Sequence, residues 1–363
     1  MTRMSNSRVE YRKHRICLSV AISLLFLSMT LLTACGQAQD EPSGLAVDPP
    51  QEEPVVILEP EPEPEPVFPF HYALTGVGTE TEMTKRPLVI MVENSPKARP
   101  QDGLYKADIV YEVLAEGEIT RFISVFQSQT ADVIGPVRSL RPYFAQIGHG
   151  LDGLIVHAGW SQEAINYVHQ HKLPNFDQVY GDDAYYWRDS SRKAPHNLYT
   201  KSELIYEGAV KKKYRETWNA VGPKFYSGQG DVQTAAGLPA TIIQINYIAG
   251  YYVGYEYDAE AKRYNRTMLG SAHKDKTTET QITAENVMVV YAKHKIVDNV
   301  GRRQVDVKGP GTGLLFQAGQ AREITWENKE GMIRAYVDGQ EAELLPGQTW
   351  VQIVPEGSKV DMQ

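Results

Sequence analysis

Cysteine is almost missing from this chain. Two occur in 363 residues, Cys17 and Cys35, and both lie in the first tenth of the sequence. If the segment around Cys17 is removed as a signal and Cys35 takes a lipid, no thiol remains. A disulfide, a thiolate metal site and a cysteine nucleophile are then all excluded. Familiar catalytic loops are missing too: there is no Walker loop, no dinucleotide fingerprint and no G-x-S-x-G elbow. Gly309-Pro310-Gly311-Thr312-Gly313 has the glycine content of a phosphate loop but lacks the Lys-Ser/Thr ending, so it reads as a β-turn. A cofactor has no recognisable seat, and no metal site is expected. His169 and His171 are two apart, the wrong spacing for one helix face, and His273-x-Asp275 supplies only two ligands.

The N-terminus, by contrast, is rich in signal. Arg3, Arg8, Arg12, Lys13 and Arg15 form a basic stretch, Ile16 to Leu32 an apolar one, and Leu32-Thr33-Ala34-Cys35 has the form of a lipobox. The apolar run is long enough to span a bilayer, but the basic–apolar–small–Cys order fits a processed signal. Residues 1–34 are therefore expected to be a lipoprotein signal peptide, with Cys35 lipidated. Two acyl chains suffice for stable anchoring, which puts the protein on the extracytoplasmic face of the cell membrane. Residues 35–70 follow as a tether: EPVVILEPEPEPEPV alternates acid and proline, which favours an extended, soluble segment.

These ends carry the acidity. The whole chain has 37 basic and 45 acidic residues; from residue 71 onward 32 basic face 35 acidic ones. Near-neutral charge and an extracytoplasmic address together argue against a nucleic-acid partner.

Residues 71–222 alternate strand and helix and read as an α/β domain with a mixed sheet, an α+β or α/β fold class. Leu88–Val92, Ile109–Leu114 and Ile119–Phe126 are apolar and β-branched enough for strands, as is Gly153–His157. Pro142–Gly150 reads as a helix opened by proline, and Ser161 caps another reaching about His171. Thr200-Lys201-Ser202-Glu203 has the form of a capping box before a third. Residues 223–363 hold eight short strand patterns separated by Gly, Asn and Asp, the pattern of a small barrel or sandwich. Trp326 and Trp350 read as core.

The stretch RPLVIMVENSPKARPQDGLYKADIVYEVLAEGEITRF, followed by IGPVRSLRPY, resembles the YerB-like lipoproteins of Gram-positive bacteria. That resemblance covers nearly all of the chain beyond the signal. It implies a bacterial domain of unknown function in two parts, and no activity. The order ADIVYEV…ITRFISVF…GPVRSLRPY is also similar to the LytR-CpsA-Psr phosphotransferases, whose arginines hold a polyprenyl pyrophosphate. By that likeness Asp108 would stand where their metal-linked acid lies, although their full arginine set and Arg-Asp turn are absent.

Charge at strand ends and proline-fixed turns marks the candidate ligand-binding residues. Arg99, Glu112, Glu116 and Arg121 surround the first strands, and Arg138, Ser139 and Arg141 precede a helix N-terminus, where planar guanidinium donors suit an anion. The same arginines could instead pair with Glu93, Glu112 and Glu116. His157, His196 and Asn197 belong to a polar, aromatic stretch suited to sugars or peptides, or to core cover. Arg266, His273 and Asp275 would complete a cleft if they faced the arginines of the first domain.

No complete catalytic set is visible. The leading expectation is a non-catalytic binding or accessory protein for an anionic or polyhydroxylated envelope ligand, such as a cell-wall polymer. The alternatives are an enzyme acting on phosphorylated lipid-linked wall precursors and a scaffold for an envelope protein.

Overall fold

The computed structural model describes residues 67–227 and 237–363. The expected signal peptide, Cys35 and nearly all of the tether lie outside the described residues. Residues 64–363 form one compact unit. No helix among the described residues is long and apolar enough to cross a membrane.

Three early strands set the frame: β1 (Leu88–Glu93), β2 (Ile109–Leu114) and β3 (Thr120–Phe126). Every residue in them is buried, the mark of a sheet covered on both faces. Their side chains alternate between two cores. Leu88, Ile90 and Val92 enter one, and Val89 and Met91 the other. Three helices are interleaved with two parallel strands: α1 (Pro142–Gly150), β4 (Leu154–His157), α2 (Gln162–Gln170), β5 (Asn175–Asp177) and α3 (Ser202–Lys211). Ser161 caps α2 as expected, accepting from the Ala164 N–H.

The expected capping box of α3 does not form. Lys201 holds the cap position, and the Thr200 hydroxyl donates to the Tyr185 carbonyl instead. A tertiary acceptor outcompetes the local one.

The second half contributes β6 (Ile242–Ile248), β7 (Tyr251–Asp258), β8 (Arg263–Met268), β9 (Asn286–Ala292), β10 (His294–Ile296), β11 (Arg303–Val305), β12 (Gly311–Gln317), β13 (Gln320–Lys329), β14 (Met332–Val337), β15 (Gln340–Glu341), β16 (Thr349–Pro355) and β17 (Val360–Met362). A closed barrel is not built from them. Half of them join one twelve-stranded mixed sheet, in the order β15-β14-β13-β12-β9-β16-β2-β3-β1-β4-β5 with the short strand Leu238–Pro239 beside β13. β6, β7, β8 and β17 belong to a separate six-stranded sheet.

The physical reason lies in β16. It is buried along nearly its whole length, so its backbone N–H and C=O groups need strand neighbours on both edges. It runs parallel between β9 and β2, pairing Thr349 with Ile109 and Ile353 with Val113. The sheet thus continues across the expected boundary at 222/223.

One face of the large sheet carries α1 and α2; the other carries the six-stranded sheet and α3. The turn between β13 and β14 closes against α1. A Cβ on Gly150 would sit 1.7 Å from the Gly331 carbonyl oxygen, so only glycine allows that approach.

Candidate functional site

Strand alternation aims Glu112 at the six-stranded sheet, and there it meets Arg266. Both side chains are fully buried, with Arg266 Nη2 2.6 Å from Glu112 Oε2. Tyr251 and Thr120 donate hydroxyl hydrogens to Glu112 Oε1 at 2.6 and 2.8 Å. The Arg266 plane lies 4.4 Å from the Trp350 ring centroid and reaches the Tyr255 hydroxyl. His273 accepts from Arg266 at Nδ1 and donates from Nε2 to Gln101. Burial, then the charges of Arg266 and Arg99, push the His273 pKa well down, so the ring is neutral. Arg99 donates to the Asn94 carbonyl and side chain and covers the Tyr251 ring. Asp275 accepts from Gly103, Thr277 and Thr278 N–H groups.

Arg266 and His273 therefore do not face Arg121, Arg138 and Arg141 across an open cleft. They meet Glu112 and Gln101 in a closed, fully paired interface. The cause is saturation: each charged group finds a complement at hydrogen-bond distance, so water gains nothing by entering.

Glu116 gathers the arginines of the first half. Its two oxygens take Arg121 at 2.7 Å and Arg141 at 2.8 Å. Burial alone would raise the Glu116 pKa, but the two guanidiniums overcome it and hold it below the usual range. Arg121 is 2% exposed and also donates to the Ser139 carbonyl, which makes it structural. Arg141, at the N-cap of α1, keeps more exposure.

A second cluster stands at the carboxyl end of β1. Glu93 accepts from the Ser95 hydroxyl at 2.8 Å and from His196 Nδ1 at 2.9 Å, with Arg138 at 3.7 Å. Glu93 Oε2 is buried without a partner. His157 ends the parallel neighbour β4, but is fully buried and donates Nδ1–H to the Gly159 carbonyl. Burial lowers its pKa despite the nearby Asp177. Asn197 is tied to Asp189, Arg192 and Arg188. Asp108 does not resemble a metal-linked acid in its surroundings. It accepts from the Gln127 and Ser128 N–H groups and the Ser128 hydroxyl, while burial raises its pKa to about 6.

The large concave surface lies elsewhere. A cleft of about 1040 Å³ opens between the first turn of α1, the N-cap of α2 and the β10–β11 hairpin. Its walls carry Arg141, Lys293, Lys295, Arg302, Arg303, Lys308 and His294 against Glu163, Asp298 and Asp306. Lys293, Lys295 and Lys308 are exposed and have no ion-pair partner among the described residues. His294 Nε2 and Arg303 Nε are buried and unpartnered. Burial pushes the His294 pKa down to about 4, with Arg303 adding to it, so the ring is neutral near pH 7. The leading N–H groups of α1 add partial positive charge. Such a surface suits a ligand with several anionic groups.

Only Arg141 of this cleft was among the expected ligand residues. The missed cations sit within the run KHKIVDNVGRRQVDVK, where their density is itself a basic-patch signal.

Comparison with known proteins bears on both halves. Residues 74–215 match the N-terminal domain, and residues 243–351 the C-terminal domain, of a family described as protein of unknown function (DUF3048). A Bacillus subtilis (strain 168) relative named "Putative lipoprotein YerB" is 38% identical over 290 residues, covering 78% of this chain and 86% of that protein. The crystal structure of the YerB protein from Bacillus subtilis superposes with a TM-score of 0.74 at 35% identity, over 80% of this chain and 99% of that one.

Proposed function

This chain belongs to the DUF3048 family, through both its N-terminal and its C-terminal domain, and on that footing we propose that it is a lipid-anchored binding protein of the cell envelope. Cys35 carries the lipid, residues 36–70 are the tether, and the folded body stands on the extracytoplasmic side. Its ligand is an anionic, polyhydroxylated envelope component, and the cleft between α1 and the β10–β11 hairpin receives it. One observation carries this reading: a cleft of about 1040 Å³ with six lysine and arginine side chains against three acids, in a body that is otherwise slightly acidic. Cations concentrated in a concavity raise the local concentration of an anionic partner.

The test is thermal stabilisation of the body by phosphate-bearing and phosphate-free wall glycopolymers. Ligand in excess raises apparent stability by mass action, about 2.7 kcal/mol at a hundredfold excess over Kd. The charge-reversed variant Lys293→Glu/Lys308→Glu loses that gain while keeping its ligand-free Tm. Equal stabilisation of the variant and the parent would sink the reading.

A second reading, an enzyme acting on phosphorylated lipid-linked wall precursors, is favoured by one cluster. His196 donates Nδ1–H to Glu93, which leaves Nε2 free to accept a proton, and Arg138 approaches the same carboxylate. Turnover of such a precursor that His196→Ala abolishes would establish it; unchanged product levels would remove it.

A further inference from the structure

The turn closing the β10–β11 hairpin holds three aliphatic side chains in water. Ile296 is 57% exposed, Val297 53% and Val300 69%. The backbone beneath them is fastened. Asp298 Oδ1 accepts from the N–H groups of Val300 and Arg302, and Val297 N–H donates to the Arg302 carbonyl. Behind the turn, Gly117 N–H donates to the Gly301 carbonyl and Arg303 donates to the Gly117 carbonyl. Gly301 has φ 81°, and a Cβ there would lie 2.9 Å from Gly117 N. Glycine at position 301 lets the β2–β3 turn and the hairpin turn meet backbone to backbone. The apolar side chains are thus presented at a fixed place.

Cations collar this tip. Residues 293–308 hold five lysines and arginines against two aspartates. One aspartate, Asp298, is already engaged by Arg302. Lys293 and Lys295 precede the apolar turn and are exposed.

We propose that this hairpin docks on an anionic membrane surface, with Ile296, Val297 and Val300 entering the headgroup–acyl boundary and the lysines meeting lipid phosphates. An apolar tip inside a cationic collar matches both layers of such an interface. A protein partner fits less well, since lysine is depleted where protein surfaces meet. The hairpin also forms one wall of the cleft, so docking brings the cleft to the membrane surface. The inference does not depend on what the cleft binds.

The test uses residues 64–363, one compact unit containing both cores, which also omits Cys35 and its expected lipid. Co-sedimentation is measured with phosphatidylglycerol/phosphatidylcholine vesicles and with phosphatidylcholine alone. The expected result is binding to the anionic vesicles that is at least tenfold weaker without the anionic lipid. Lys293→Gln/Lys295→Gln weakens it about fivefold per charge. Ile296→Ser/Val297→Ser/Val300→Ser abolishes it with an unchanged Tm. On the anionic vesicles an Ile296→Trp reporter shifts its fluorescence to shorter wavelength. No binding by the parent body, or equal binding by the serine variant, overturns the proposal. So does self-association that the serine variant abolishes without any vesicle binding, which would make the tip a protein interface. Ile296→Ser/Val300→Ser, which leaves the cleft-lining Val297 in place, should still be stabilised by cleft ligands, which separates this outcome from the fate of the cleft.

Discussion

Replacing Arg266 with methionine isolates the contact that joins the two sheets. Arg266 and Glu112 are 154 residues apart in sequence and both 0% exposed, with a 2.6 Å ion pair between them. Methionine keeps much of the volume against Trp350 and Phe122 but leaves the carboxylate buried without its countercharge. Removing one partner of a buried pair costs roughly 3–5 kcal/mol. Three neutral donors stay in place around Glu112: the hydroxyls of Tyr251 and Thr120, and the Asn94 amide at 3.3 Å. They place the loss toward the lower bound, about 3 kcal/mol. That is a large share of the roughly 5–15 kcal/mol that holds a typical protein folded. The assay is urea unfolding followed by near-UV circular dichroism and fluorescence. Arg266→Met should lower stability by about that amount, in a single transition. Glu112→Gln/Arg266→Met should recover at least half, because the uncompensated charge is gone. A loss under about 1 kcal/mol, or a double variant no more stable than the single one, would refute the reasoning.

Three further expectations follow from single contacts. Glu116→Ala strands the buried guanidinium of Arg121 and should cost about 3 kcal/mol, more than Arg141→Ala, whose side chain is less buried; chemical denaturation ranks the two. His294 has its folded pKa lowered to about 4 from about 6.5 in the unfolded chain. The unfolded state therefore binds more protons between those values, and stability is lost as pH falls through that window. Relative to the parent, His294→Gln should gain at most about 3 kcal/mol between pH 7 and pH 4, and a constant difference across pH would exclude the effect. Gly150→Ala drives a methyl into the Gly331 carbonyl and should cost at least about 2 kcal/mol, read as a lowered Tm, whereas Gly339→Ala meets no neighbour within 4 Å and carries only its positive-φ penalty, about 1 kcal/mol.

How far the sequence could be read depended on the distance over which each choice was made. β2 and α1 were legible to the residue, since β-branched runs and a proline at the helix start are local signals. β8 was not. Its inward residues are Tyr264, Arg266 and Met268, and the arginine breaks the apolar alternation that would announce a strand. Arg266 is buried only because Glu112 awaits it from the other half of the chain. Of the two expected forms, barrel or sandwich, the barrel failed for a similar reason. Strand patterns show that β16 exists, but its parallel partner β2 lies some 240 residues earlier. The arginine turn was found, and so was its alternative of pairing with nearby acids; sequence could not decide which guanidinium Glu116 would claim. The basic hairpin was passed over because it carries no motif, only a density of charge around an apolar turn.

Hydrogen exchange on the body, with and without a saturating phosphate-bearing wall glycopolymer, tests the central claim most directly. The account predicts slowed exchange in the first turn of α1, from Tyr143 to Gln146, and along Lys293–Lys308, with Glu93–Arg99 and His196–Thr200 unchanged. Protection confined to the Glu93–His196 edge, or none at all, would contradict it.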